Sequence, residues 1–181
     1  MNLNIVPLKF SNDPLLRKLI ERLSLYFEDV KVFYTPVNIE PSYNQLRRQY
    51  HSTRILESII KSNPEGDGLF LVLTDMDLFV PVLTHVFGEA QLNGKFSIVS
   101  VCRLDEEFYT AESNPKILLS RSFKEILHEI GHNFGLYHCR NWECVMHASN
   151  SVEDIDVKGN VYCSECSAIL TSKNIPHPAV L

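Results

Sequence analysis

The run His128-Glu129-Ile130-Gly131-His132-Asn133-Phe134-Gly135-Leu136-Tyr137-His138 constrains this chain more than any other feature, because it asks for a helix, a sharp stop and a return. Histidines four residues apart stack on one helix face, so His128 and His132 can reach a common point. Gly135 follows, and glycine adopts the left-handed backbone that turns a chain out of a helix. His138, three residues further on, can then come back to the same point. Three imidazoles with an open fourth position suit a catalytic zinc better than a closed structural one. Glu129 sits beside His128, near the metal without being a ligand, where a general base can take a proton from water activated there. Independent placement would give these five residues in fewer than about one chain in ten thousand. Ordinary surface or core histidines are therefore a poor alternative, and the stronger rival is a site that holds zinc without turning over substrate.

The helix that carries this run is legible upstream. Asn114-Pro115 pairs an N-cap with proline at the first helical position, and Leu118, Leu119, Phe123, Ile126, Leu127 and Ile130 form its buried stripe up to the stop at Gly135. Before it, Leu3 to Leu8 reads as a strand, Asp13-Pro14 opens a helix, and Val30 to Val37 reads as a second strand. A second helix is expected from about Tyr43 to Lys61, then a turn at Asn63-Pro64-Glu65-Gly66-Asp67-Gly68 and a buried central strand over Leu69 to Leu73. Val80 to Gly88 and Lys95 to Arg103 are further strands, with Asn93-Gly94 as a tight hairpin between them. The expected fold is α/β: a twisted, mostly parallel sheet with an antiparallel edge, its helices, and the long site-bearing helix. Residues 136 to 181 are short, Cys-rich and turn-prone, so one domain is expected with an N-terminal subdomain over about 1–135 and a small C-terminal one over 136–181.

Four of the five cysteines lie in the last quarter of the chain. Cys139 with Cys144 and Cys163 with Cys166 can supply the tetrahedral thiolate shell of a structural zinc, stapling a segment poor in apolar residues. Side chains alternate along extended chain, so His138 and Cys139 can serve two metals on opposite sides. Two disulfides or a redox-active Cys-x-x-Cys are the alternatives. Cys102, in an apolar strand-like setting, reads as a buried, inert thiol.

With Cys139, Cys144, Met146 and Cys163-Ser164-Glu165-Cys166 following the histidine run, the chain resembles the archaemetzincins, a family of metzincin-type zinc peptidases. The resemblance rests on residues 128 to 166. It implies His128, His132 and His138 as catalytic zinc ligands, Glu129 as base, and Met146 as the Met-turn residue, an apolar floor beneath the metal. It also implies an extended peptide along an edge strand, for which Val86 to Ala90 is the candidate. The tyrosine that some other metzincins place two residues after this methionine is absent, since that position is Ala148.

Hydrophobic residues at 45% and charged residues at 22% describe an ordinary globular chain. A net charge of -5 without a run of either sign gives no footprint for nucleic acid. The one basic cluster, Arg47, Arg48, Arg54 and Lys61, reads as the solvated face of the second helix. Met1 to Pro7 lacks a basic start, and its apolar run is too short for a signal peptide or a membrane span, so the expectation is a cytoplasmic protein, monomeric by default. His147 and His177 are expected in solvent, and His51 and His85 without a role. The function expected is hydrolysis of peptide bonds in a peptide or protein substrate, with two zinc ions per chain, one catalytic and one structural. The alternatives are a catalytically dormant two-zinc module that binds a peptide or protein, and a zinc hydrolase acting on a non-peptide amide.

Overall fold

The computed structural model describes residues 1–62, 67–110 and 112–178. In chain order the elements are β1 (Asn2–Pro7), α1 (Asp13–Leu23), β2 (Asp29–Val32), β3 (Tyr43–Asn44), β4 (Gln49–His51), α2 (Ser52–Ser62), β5 (Leu69–Thr74), β6 (Leu78–Phe79), β7 (Gly88–Ala90), β8 (Phe96–Ser100), α3 (Pro115–Asn133), α4 (Val152–Val157) and α5 (Ser164–Ser172). The main sheet has the order β2-β1-β5-β8-β7. Its first four strands are parallel, and β7 runs antiparallel at the edge, paired with β8.

Alternation along the strands sorts the core into two layers. In the wholly buried β5, Leu69, Leu71 and Leu73 face α1 and α3, while Phe70 and Val72 face α2. The result is a three-layer αβα arrangement with the mixed sheet in the middle. Asn12 caps α1 ahead of Pro14, and Asn114 caps α3 by accepting from the Lys116 and Ile117 amides, with Pro115 where its missing N–H is harmless.

Several expected boundaries move. The helix expected from Tyr43 begins only at Ser52, because the chain first folds back as β3 and β4. Arg48 takes a left-handed backbone at φ 54°, Asn44 Oδ1 accepts from the Arg47 amide, and the Tyr43 and Tyr50 rings meet at 4.9 Å across the pair. Leu46, within the span expected to be helical, is 99% exposed at the turn. Arg47 is correspondingly not on a solvated helix face. It stacks over Phe79 and donates to the carbonyls of Leu83 and Thr84, which pins that loop. The strand expected over Val80 to Gly88 is interrupted by a turn at Pro81, whose nitrogen cannot join a ladder. The strand expected over Val30 to Val37 ends at Val32.

The hairpin expected between β7 and β8 is present. Its tight turn is centred on Leu92-Asn93, with the Gly94 amide donating to the Gln91 carbonyl, and Asn93 takes the left-handed conformation. Of the turn expected at 63–68, residues 63 to 66 lie outside the described residues, and Gly68 leads into β5 with φ 81°. After α3 the chain consists of loops, α4 and α5, and Val145, Met146, Ile155, Tyr162 and Leu170 join the same buried cluster as α1 and α3.

Candidate metal centres

Helix α3 ends as its sequence demands. Gly135 has φ 87°, its amide donates to the His132 carbonyl, and the Leu136 amide donates to that of Gly131, a complete Schellman stop. A side chain at Gly135 would overlap Asn93 Oδ1, so the hairpin tip is packed onto this turn. The chain then doubles back, with the Cys139 amide bonded to the Met146 carbonyl at 2.9 Å, and brings His138 beside the helix.

The ring centroids of His128, His132 and His138 lie 4.7, 5.2 and 5.0 Å apart pairwise, and one nitrogen from each falls within 4.8 Å of the others. The tautomers follow from the hydrogen bonds. His128 Nδ1 meets the Val145 carbonyl at 2.8 Å and His132 Nδ1 meets the Leu136 carbonyl at 2.7 Å. A carbonyl only accepts, so both Nδ1 atoms carry the proton and both Nε2 atoms present lone pairs. These lone pairs face each other at 3.1 Å. Burial lowers the pKa of all three rings, His128 most strongly, and Lys158 acts in the same direction. The donor set is therefore neutral imidazole at neutral pH, the form that binds a metal ion.

Glu129 lines the same cleft, which encloses about 540 Å³, within the range of ligand-binding clefts. Burial holds its carboxyl well above the usual range, Glu125 and Glu89 add to this, and Lys158 opposes it. A Cβ on Gly88 would lie 2.6 Å from Glu129 Oε1, so the carboxylate occupies the space a side chain on β7 would fill. Met146 is wholly buried under the helix, and a Cβ on Gly131 would overlap its sulfur. Ala148 lines the cleft and offers no hydroxyl of its own, although Thr84, Tyr137 and Ser149 line it as well.

The four expected cysteines also converge, with all four sulfurs within 4.8 Å of one another. All are free thiols, and the Cys139 and Cys163 sulfurs are 3.8 Å apart, beyond bonding distance. Backbone amides point at the sulfurs, from Cys163 to Cys144 Sγ at 3.3 Å and from Asn141 to Cys139 Sγ at 3.4 Å. Burial pushes the Cys144 thiol up to about 11 and raises Cys166 as well. Burial also works against the Cys163 thiolate, but bonds from the Cys166 amide and the neighbouring thiols prevail and hold it below its ordinary value. A closed shell of sulfurs with amides aimed at it fits a metal of the tetrahedral thiolate type.

Other expectations are adjusted. His147 is half-buried, with Nδ1 on the Cys139 carbonyl, and His177 is half-buried against Tyr162, so neither is a free solvent group. Cys102 lies in the turn after β8 and is half-buried, its thiol pushed up to about 11 by burial. His85 lines the cleft beside Phe87, and burial lowers its pKa.

Three residues escaped sequence reasoning. Gly88 and Gly131 matter through what their missing side chains leave room for, and neither sits in a turn that would flag it. Tyr162, fully buried beside Cys163, donates to the Leu127 carbonyl at 2.6 Å and props the site helix from below. Its place next to a cysteine was the only available signal.

A model of peptidase family M54 matches residues 19–172 of the chain. The archaemetzincin of Methanocaldococcus jannaschii is 42% identical over 134 residues, covering 74% of this chain and 73% of that one. Among solved structures, an archaemetzincin from Archaeoglobus fulgidus complexed with malonate is similar with a TM-score of 0.80 at 36% identity, covering 93% of this chain and 99% of that one. A zinc-dependent peptidase from Methanocorpusculum labreanum is similar with a TM-score of 0.81 at 26% identity, again over 93% and 99%.

Proposed function

The chain belongs to peptidase family M54, the family of the archaemetzincins, and from that premise we propose that it hydrolyses peptide bonds with a zinc ion held by His128, His132 and His138 and with Glu129 as general base. The observation that carries this reading is the pair of Nε2 lone pairs facing each other at 3.1 Å beside the Glu129 carboxyl. Two unprotonated nitrogens so close repel unless a cation lies between them. Zinc, when bound there, supplies a Lewis acid that polarises the scissile carbonyl and lowers the pKa of water towards about 7.

Glu129 takes the proton from the attacking water and delivers it to the departing amine. The His128 and His132 rings are held for ligation by the backbone carbonyls on their Nδ1 protons. The substrate lies extended along Val86 to Ala90, where β7 forms the sheet edge and offers main-chain donors and acceptors. Selectivity then falls to the side chains of Leu83, Leu92 and Tyr137 at the cleft.

Cys139, Cys144, Cys163 and Cys166 hold a second, structural zinc, with Met146 as the apolar floor under the catalytic one. Thiols left unpaired persist best in a reducing compartment, which favours the cytoplasm. No helix among the described residues is long and apolar enough to cross a membrane. The test is mass-spectrometric detection of cleavage in a diverse peptide library by the zinc-loaded protein and by Glu129→Ala with the same zinc content. Cleavage by the first alone is expected. Cleavage by neither would favour a dormant binding module, and equal cleavage would expose a contaminant.

A further inference from the structure

The peptidase reading leaves one buried charged pair unused. Lys158, just after α4, has a side chain 1% exposed, and its ammonium meets the Glu125 carboxylate, itself 5% exposed, at 2.6 Å. Removing two charges from water is costly, and an apolar pair of similar volume often serves stability as well. A role tied to the location is therefore the better account of this pair.

That location joins the site helix to the turn behind the metal ligands. Glu125 lies on α3 three residues before His128 and four before Glu129, on the same face, and lines the cleft. Lys158 Nζ also donates to the His147 carbonyl at 3.4 Å, immediately after Met146. On the other side of Met146, the Val145 carbonyl receives the His128 Nδ1 proton at 2.8 Å. The backbone around Lys158 is fastened to this turn as well, by Gly159 N–H to the Glu143 carbonyl at 2.9 Å and Val145 N–H to that of Val161 at 3.0 Å. The preceding polar residues of α3 grip α4 instead: Arg121 binds Asp156 in a fork at 2.8 and 2.6 Å, and Lys124 donates to the Ile155 and Asp156 carbonyls. Lys158 carries the connection on to the methionine turn.

We infer that Lys158 is a positioning residue for the histidine metal centre: its ammonium ties Glu125 of α3 to the His147 carbonyl and thereby holds the Val145 carbonyl where it orients His128. The inference rests on reading His128, His132 and His138 as a metal site. The Val145 carbonyl cannot be deleted by a side-chain substitution, but the strut that places it can.

Lys158→Met alone would strand the Glu125 carboxylate in a buried place and threaten folding. The informative variant is therefore Lys158→Met with Glu125→Gln, which removes both charges at nearly constant volume. Cobalt(II) is titrated into the full-length wild-type and double-variant chains, because intense thiolate bands report the cysteine site separately from the weaker bands of a nitrogen site. The double variant is expected to stay folded and fill its cysteine site as the wild type does. Its histidine site is expected to bind about 10–100-fold more weakly, the usual cost of losing an outer-shell partner. On a peptide that the wild type cleaves, kcat falls and KM does not. Equal histidine-site affinity in the two proteins would overturn the inference. A wild type that fills its cysteine site but not its histidine site would overturn the metal-site reading itself, and the inference with it.

Discussion

Replacing Gly88 by alanine adds one carbon to β7, and that carbon would lie 2.6 Å from Glu129 Oε1, 2.7 Å from its Cγ and 2.8 Å from its Cδ. Ordinary contact begins near 3.4 Å, so strand and carboxylate must separate by about 0.8 Å. The strand is the stiffer partner. Gly88 is in register with Val99 of β8, and the Glu89 carboxylate is held by the hydroxyls of Ser52 and Thr53 at the start of α2. Gly88 is not among the residues with positive φ, so alanine meets no backbone penalty and the effect is steric alone. The Glu129 side chain therefore yields, and a misplacement of about 1 Å at a reacting group costs on the order of 10²-fold in rate. Steady-state cleavage of a peptide found in the library screen, with zinc content measured in both proteins, reads this directly. The expected result is a kcat lower by about 10² with zinc unchanged, since Gly88 supplies no ligand. Full zinc with wild-type kcat would refute the reasoning, and loss of zinc would mean that α3, which carries His128 and His132, had been displaced rather than the Glu129 side chain alone.

Gly131→Ala should lower the thermal midpoint despite alanine's better helix propensity. Its Cβ would overlap Met146 Sδ and approach Tyr162 Cε1 at 3.2 Å, and overpacking of about 1–3 kcal/mol outweighs the roughly 1 kcal/mol that the helix gains. A raised midpoint in calorimetry would show that Met146 repacks freely. Glu129→Gln should stabilise the metal-free protein while abolishing cleavage. Above the ordinary value of 4.5 the unfolded chain releases the Glu129 proton while the folded chain keeps it, so the wild type loses stability as pH rises. The midpoint difference between the two should be smallest and constant well below pH 4.5 and should grow as pH rises above it, whereas a pH-independent gap in melting curves would contradict it. Changing Cys163 and Cys166 together to serine should lower the zinc content from two ions per chain to one under excess metal. Elemental analysis showing neither ion lost, or a chain that can be loaded with none, would argue against separate sites.

The site was more legible in the sequence than the sheet around it. Helix spacing, a glycine stop and a third histidine are local constraints, and the chain obeys them at His128, His132, Gly135 and His138 because neighbours in sequence determine them. The cysteine grouping was legible for the same kind of reason, since Cys139 is adjacent to His138 and a pair at Cys163 and Cys166 has one short reach. The segment from Tyr43 to Gln49 was not. Its apolar residues recur at helical spacing, yet a left-handed Arg48 and the Tyr43–Tyr50 pairing fold it into two short strands. Periodicity reports which residues are apolar, and only tertiary packing decides whether a face exists for them to cover.

The sequence by itself determined the donors, their order and the turn that gathers three of them. Tertiary structure alone decided which way each donor points. The Val145 and Leu136 carbonyls, one of them 17 residues from its histidine, assign the Nδ1 protons and leave the Nε2 lone pairs facing each other. Packing against β7 and the nearby charges of Glu125, Glu89 and Lys158 set the proton affinity of Glu129. Burial and hydrogen-bond partners belong to neighbours in space, and the strands and turns that supply them are far apart along the chain.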